Sequence, residues 1–220
     1  MPVTFEDVRN SPEIRTYITQ ADTSLIALGY TEHSFAHVTR CAQVAADILT
    51  RLGYSAREVE LARISAFMHD IGNVINRIDH AQSGAVMAFR ILDKMGMDPA
   101  EIATVITAIG NHDEHTAFPV NAVAAALILA DKTDVRRSRV RNQDFTNFDI
   151  HDRVNYAVEH SDVLMDAEHK TITLTLAINT QVCAVMDYFE IFLQRMLLCR
   201  KAAERLGLSF RLEINKQILL

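Results

Sequence analysis

The chain has 220 residues, of which 49% are hydrophobic and 23% charged, a balance that suits one medium domain or one domain with a small appendage and excludes global disorder. Its formal net charge of −6 excludes a broadly basic surface, so neither nucleic acid nor an anionic membrane is expected as a partner. Cys41, Cys183 and Cys199 are odd in number and lack C-x-x-C spacing, which reads as buried free thiols of a reducing compartment rather than a disulfide scaffold or a Cys-based zinc site.

Taken in order, residues 4–29 carry two short helical patterns, the second opened by Ser11-Pro12. A helix is expected from near Thr31 to about Leu52, with Val38, Cys41, Ala42, Ala45, Ile48, Leu49 and Leu52 as its apolar stripe and Gly53 as its stop. Ser55 and Glu58 form a capping box for the next helix, which ends on Phe67-Met68-His69-Asp70-Ile71-Gly72. An irregular piece from Asn73 to Asp79 leads to a helix from about His80 to Met95, with Ala85, Ala88, Phe89 and Leu92 inward. Asp98-Pro99-Ala100-Glu101 starts another, which stops near Gly110-Asn111-His112-Asp113. Asn121 caps an Ala-rich helix expected to continue through Asp131 into a basic stretch ending near Arg141.

The pattern changes near residue 145. Asn147 to His160 reads as mixed and partly helical. Ile172, Leu174, Leu176 and Ile178 then alternate with small or polar residues, as in a strand with one buried face, and Val163 to Ala167 is its expected hairpin partner. A long helix follows from an Asn179 or Thr180 cap to about Leu206, with Val182, Val185, Met186, Phe189, Leu193, Met196 and Leu197 inward. Phe210, Leu212 and Ile214 give a last strand. The expected fold is mainly α: residues 1–145 as a helical domain and 146–220 as a small β-β-α-β module. The N-terminus lacks a basic and an apolar leader region, and no run approaches the length of a membrane span, so a cytoplasmic protein is expected.

The informative residues are polar ones that interrupt apolar helices at their ends: His33, His37, His69, Asp70, His80, His112, Asp113 and Asp131. A buried ionised carboxylate is costly unless it is paired or binds a metal. Imidazole and carboxylate together suit iron, manganese or another transition metal, whereas calcium and magnesium prefer oxygen alone. Lys132, Arg136, Arg137, Arg139 and Arg141 form the second signal. If the helix continues, Lys132, Arg136 and Arg139 share one face beside Asp131, and Lys132 and Arg136 are placed to hold a phosphate oxygen. The bland alternative is a solvated, ion-paired face.

Residues 30–140 resemble the HD superfamily of metal-dependent phosphohydrolases. His37-Val38-Thr39-Arg40-Cys41-Ala42-Gln43-Val44-Ala45 fits the opening H-x-x-[RK]-V-A-x-x-A pattern, with Cys41 in the Val position. His69-Asp70 is the H-D doublet in its His-Asp-Ile-Gly form, and Asp131 matches the final Asp. His80 in His80-Ala81-Gln82-Ser83-Gly84-Ala85 and His112 in Ala108-Ile109-Gly110-Asn111-His112 resemble the branch that holds two metals and includes HD-GYP phosphodiesterases and bacterial diadenosine tetraphosphate hydrolases. The GYP signature is absent, and Asp113 stands where HD-GYP proteins carry a second His.

The resemblance implies an HD-domain helical bundle and an enzyme that hydrolyses a phosphoester or phosphoanhydride, with a phosphorylated small molecule such as a nucleotide as substrate. It implies two divalent metal ions held by His37, His69, Asp70, His80, His112 and Asp131, with Asp70 shared between them and a metal-activated hydroxide as nucleophile. Lys132 and Arg136 would orient the phosphate, and His33 or Asp113 would relay a proton. Two alternatives stay open: a non-catalytic metal-binding signalling or scaffold protein, with the C-terminal module as a homodimer or partner surface, and a two-iron oxygenase.

Overall fold

A computed structural model describes residues 2–142, 148–166 and 168–219. The sequence-based division at residue 145 therefore falls outside the described residues, as do Asn147 and Ala167, where two expected elements began or ended.

The N-terminal part is a helical bundle: α1 (Phe5–Asn10), α2 (Pro12–Ala27), α3 (Phe35–Arg51), α4 (Ala56–Met68), α5 (His80–Lys94), α6 (Pro99–Gly110) and α7 (Ala122–Lys132). Side-chain caps start most of these helices. Thr4 and Asp7, and Ser55 and Glu58, form reciprocal capping boxes, while Ser11, Ser34, Asp98 and Asn121 each accept a backbone N–H of the first turn. The centre of the bundle is α7. It is buried from Val123 to Lys132, so it is apolar all round rather than striped. Helices α3, α4 and α6 surround it.

Between α4 and α5 the chain makes one 3₁₀ turn, Ile71–Val74, and approaches α5 with no room for a side chain. A Cβ on Gly72 would lie 2.0 Å from the His80 carbonyl oxygen and 2.5 Å from the Gly84 nitrogen. Gly84 in turn faces the His69 carbonyl, 3.2 Å from where its own Cβ would stand. The two glycines thus let the start of α5 press against the end of α4, which brings His80 to Asp70.

The C-terminal part comprises α8 (Ile150–Ala157), β1 (Val158–Asp166), β2 (Thr171–Ile178), α9 (Val185–Arg205), β3 (Ser209–Ile214) and β4 (Gln217–Ile218). The sheet order is β1-β2-β3-β4. The pairs β1/β2 and β3/β4 are antiparallel, whereas β2/β3 is parallel, with α9 as the crossover. One side of α9 packs on α7 and another on β3. Leu174, Leu176, Phe210, Leu212 and Ile214 are buried on the sheet face that completes the core.

Several details differ from the sequence reading. A fourth strand, β4, extends the expected β-β-α-β module. Helix α7 stops at Lys132 instead of running to Arg141, because the Thr133 hydroxyl turns back onto the Leu129 carbonyl at 2.5 Å and Asp134 leaves the helix to pair with arginines. Helix α9 starts at Val185, since Val182 and Cys183 both donate to the Asn179 carbonyl in a turn of their own. Its inward residues are Tyr188, Phe192, Met196, Leu198, Cys199, Ala202 and Ala203, and Met186 and Leu193 face outward. Phe89 on α5 also faces outward. Among the described residues no helix is long and apolar enough to cross a membrane.

Candidate metal centre

The ends of five helices converge on Asp70. His37 comes from the first turn of α3, His69 and Asp70 from the end of α4, His80 from the start of α5, His112 from just past α6, and Asp131 from the last turn of α7. All six are buried.

The two oxygens of Asp70 face different partners. Oδ2 lies 3.3 Å from His69 Nε2 and 3.8 Å from His37 Nε2. Asp131 Oδ1 closes that side, 3.3 Å from His37 Nε2 and 3.7 Å from His69 Nε2. Oδ1 of Asp70 lies 3.5 Å from His80 Nε2 and 4.0 Å from His112 Nε2. Donor atoms of His37, His69 and Asp70 lie mutually within 4.8 Å, as do those of His69, His112 and Asp131 and those of Asp70, His80 and His112.

Backbone geometry fixes which imidazole nitrogen points inward. Nδ1 of His69, His80 and His112 donates to the carbonyl three residues earlier: Ala66 at 2.7 Å, Arg77 at 3.0 Å and Ile109 at 2.6 Å. A carbonyl can only accept, so in each neutral ring the Nε2 lone pair is aimed at the centre. His37 uses a carboxylate instead, with Nδ1 2.8 Å from Asp134 Oδ2. A carboxylate behind a histidine in this way orients the ring and raises its basicity as a ligand. Asp134 was not singled out in the sequence. Arg136 Nε also binds it, at 2.5 Å, and Arg40 and Arg139 lie nearby.

The cluster fits a cation better than it fits itself. His69 Nε2 and Asp70 Oδ2 are buried and have no hydrogen-bond partner. His80 Nε2 and His112 Nε2 face each other at 3.2 Å, both in rings whose Nδ1 already donates, and a second donor, Arg77 Nη1, stands 3.3 Å from His80 Nε2 alone. Opposed lone pairs repel, and a shared positive charge removes the conflict. The electrostatics agree. Burial disfavours an ionised Asp70, but His69 beside it holds the carboxyl well below its ordinary range. Burial also disfavours a charged His69, yet Asp70 and Asp131 overcome this and push it up to about 10. Burial keeps His112 and His80 below the ordinary imidazole value, despite the pull of Asp70 on His80, so both are held neutral as a metal ligand requires.

Above the cluster is a cavity of about 420 Å³. Asp70, His80, His112 and Asp131 form its floor, with Lys132, Arg77 and Arg139 beside them. The α2–α3 connection adds Tyr30, Thr31 and His33, and the C-terminal module adds Asp149, His151, Asp152 and Asn155 from around α8 and Phe192 and Arg195 from α9.

The remaining residues singled out in the sequence divide. Lys132 is buried beside the cluster, its Nζ 2.7 Å from Asp131 Oδ2 and 3.2 Å from Glu114 Oε2. Burial lowers its affinity for a proton, but Asp131 and Glu114 more than restore the charge. His33 lines the cavity without joining a ligand group. Its Nδ1 donates to the Thr31 carbonyl at 2.7 Å and burial holds it well below the ordinary value, so it is neutral with Nε2 unprotonated. Arg136 does not line the cavity. With α7 ending at Lys132, it is no longer one turn further on the same face, and it pairs with Asp134 and Glu32. Asp113 belongs neither to the ligand groups nor to the cavity wall. Arg77, Glu114 and Arg195 carried no sequence signal: Arg77 sits in the irregular connection three residues before His80, and Glu114 and Arg195 meet only across the fold.

Residues 34–137 match the HD domain family model. No curated protein matches the chain. Among solved structures, the crystal structure of a predicted HD superfamily hydrolase from an uncultured Thermotogales bacterium is similar, at 28% identity over 56% of this chain and 67% of that one, with a TM-score of 0.45. All six residues of the buried cluster lie within the stretch, residues 34–137, that matches the HD domain.

Proposed function

We propose that the protein is a phosphohydrolase with two metal sites that share Asp70. The observation that carries this reading is the division of Asp70, one oxygen toward His37, His69 and Asp131 and the other toward His80 and His112. One site would be held by His37, His69, Asp70 and Asp131, the other by Asp70, His80 and His112. Mixed nitrogen and oxygen donors suit iron, manganese or a similar transition metal. When bound, such ions supply Lewis acidity and lower the pKa of water enough to make a nucleophile near neutral pH.

The protein's own groups do the rest. Lys132 and Arg77 flank the cluster and are placed to hold the oxygens of a phosphoryl group over it. A cation fixed in a partly dry cavity is worth more to developing negative charge than one in water. His33 Nε2 is left to accept a proton from water in the cavity, since its Nδ1 is committed to Thr31. Asn155, Asp149, Asp152 and His151 give the outer wall hydrogen-bonding groups. These suit a hydroxyl-bearing leaving group such as that of a nucleotide, and a cavity of about 420 Å³ holds a molecule of that size.

Hydrolysis of a generic phosphate monoester and diester by the metal-loaded protein tests this. Wild type should turn over at least one, and Asp70→Asn should lower the rate by about a thousandfold or more. Turnover that survives Asp70→Asn sinks the reading. A scaffold role would leave wild type inactive with its metal bound.

A further inference from the structure

We infer that the C-terminal module supplies a substrate-binding residue: Arg195 of α9 is a phosphoryl-oxygen grip facing the centre built by the HD domain. The inference rests on the phosphohydrolase reading and adds to it a residue outside the HD domain match.

Arg195 lines the same cavity as Asp70, His80, His112 and Lys132. Its guanidinium is held in place from two directions. Nε donates to Glu114 Oε1, and Cζ lies over the Phe192 ring, 4.7 Å from its centroid. The ring contact and one fixed bond restrict the rotamer freedom that binding would otherwise cost. Neither terminal nitrogen makes a hydrogen bond within the described residues, so the outer edge of the fork is open while the inner edge is pinned. Its side chain keeps 25% of its exposure, which a purely structural arginine buried in the α7–α9 contact would not need.

The charges point the same way. The other Glu114 oxygen holds Lys132, and Lys132 reaches Asp131. A chain of contacts, Asp131–Lys132–Glu114–Arg195, thus runs from the metal cluster to α9. Within it Glu114 is a single anion shared by two cations. Once Asp131 is committed to a metal, one net positive charge is left along this chain of contacts. That is the arrangement for an anion entering the cavity, and a guanidinium edge matches two oxygens of one phosphoryl group.

Titration calorimetry with inorganic phosphate, on protein loaded with manganese, tests the assignment without turnover. Wild type should bind phosphate. Arg195→Gln should weaken it by about ten- to a hundredfold with the metal content unchanged, as for loss of a charged hydrogen-bond donor. Arg195→Lys should fall between, keeping charge without the fork. Glu114→Gln separates a grip from a strut: removing the competing anion should leave phosphate binding equal or tighter, whereas a strut would make both variants weaken alike. Equal weakening, or Arg195→Gln within twofold of wild type, overturns the inference alone. Wild-type protein that binds manganese but not phosphate overturns the phosphohydrolase reading, and the inference with it.

Discussion

Asp70 Oδ1 lies 3.5 Å from His80 Nε2, and this contact turns a single cluster into two joined ones. Its other oxygen is already committed to His37 and His69. The carboxylate can serve both sides because Asn73 holds it: Asn73 Nδ2 donates to Oδ1 at 2.9 Å and to the Asp70 carbonyl at 3.0 Å.

The meeting of Asp70 and His80 depends on a glycine. At Gly72 a Cβ would stand 2.0 Å from the His80 carbonyl, a backbone atom that cannot swing away. Gly72→Ala should therefore cost about 1–3 kcal/mol of stability, as overpacking does, and should move His80 away from Asp70. Denaturant unfolding and metal analysis of the same variant check both effects. A variant with wild-type stability and metal content would show that the α4–α5 approach is looser than described.

Asp134 supports His37 without facing the cavity. Its carboxylate lies 2.8 Å from His37 Nδ1 and is fully buried. Burial opposes its ionisation, but the His37 and Arg136 hydrogen bonds hold it far below the ordinary carboxylate range. Asp134→Asn keeps the shape and removes the charge, so metal affinity should fall about ten- to a hundredfold. Competition against a chelator of known affinity measures it. An unchanged affinity would leave Asp134 with a structural role toward Arg136 alone.

A pH-dependent part of the stability sits far from the centre, where Arg57 Nη2 meets Glu101 Oε2 at 2.5 Å and ties α4 to α6. The Arg57 hydrogen bond lowers the Glu101 pKa from its ordinary 4.5. A depressed carboxylate pKa gives stability that is present above the unfolded value and is lost as pH falls through the folded one. Glu101→Gln should thus cost about 0.5–1 kcal/mol at pH 7, a modest value because both side chains keep a quarter or so of their exposure, and less at pH 3. Urea titrations of both proteins at the two pH values check this. A cost that is equal at both would assign the effect to packing rather than charge.

What the sequence shows most clearly is where polar residues break apolar helices. His37, His69, Asp70, His80, His112 and Asp131 stand out because each is a costly buried group at or near a helix end, and the structure places their donor atoms together. The basic stretch is less legible. Lys and Arg are good helix formers, and no Gly or Pro follows Lys132, so propensity continues a helix that the Thr133 back-bond and the buried Asp134 end. Helix α9 misleads by phase. It is covered by α7 on one side and β3 on another, so its apolar residues span more than one stripe, and the period alone does not say which face is core. Glu114 and Arg195 are 81 positions apart, and Asp134 and His37 are 97 apart. Such pairs are made by tertiary packing, and no local pattern marks them.

The number of metal ions per chain, measured by elemental analysis of protein purified without chelator or affinity tag, decides most directly whether Asp70 serves two sites. Two equivalents in wild type, falling to one in His80→Ala with the fold intact by circular dichroism, is the predicted result. One equivalent in wild type, unchanged in His80→Ala, would remove His80 and His112 from the ligand set and contradict the shared role of Asp70.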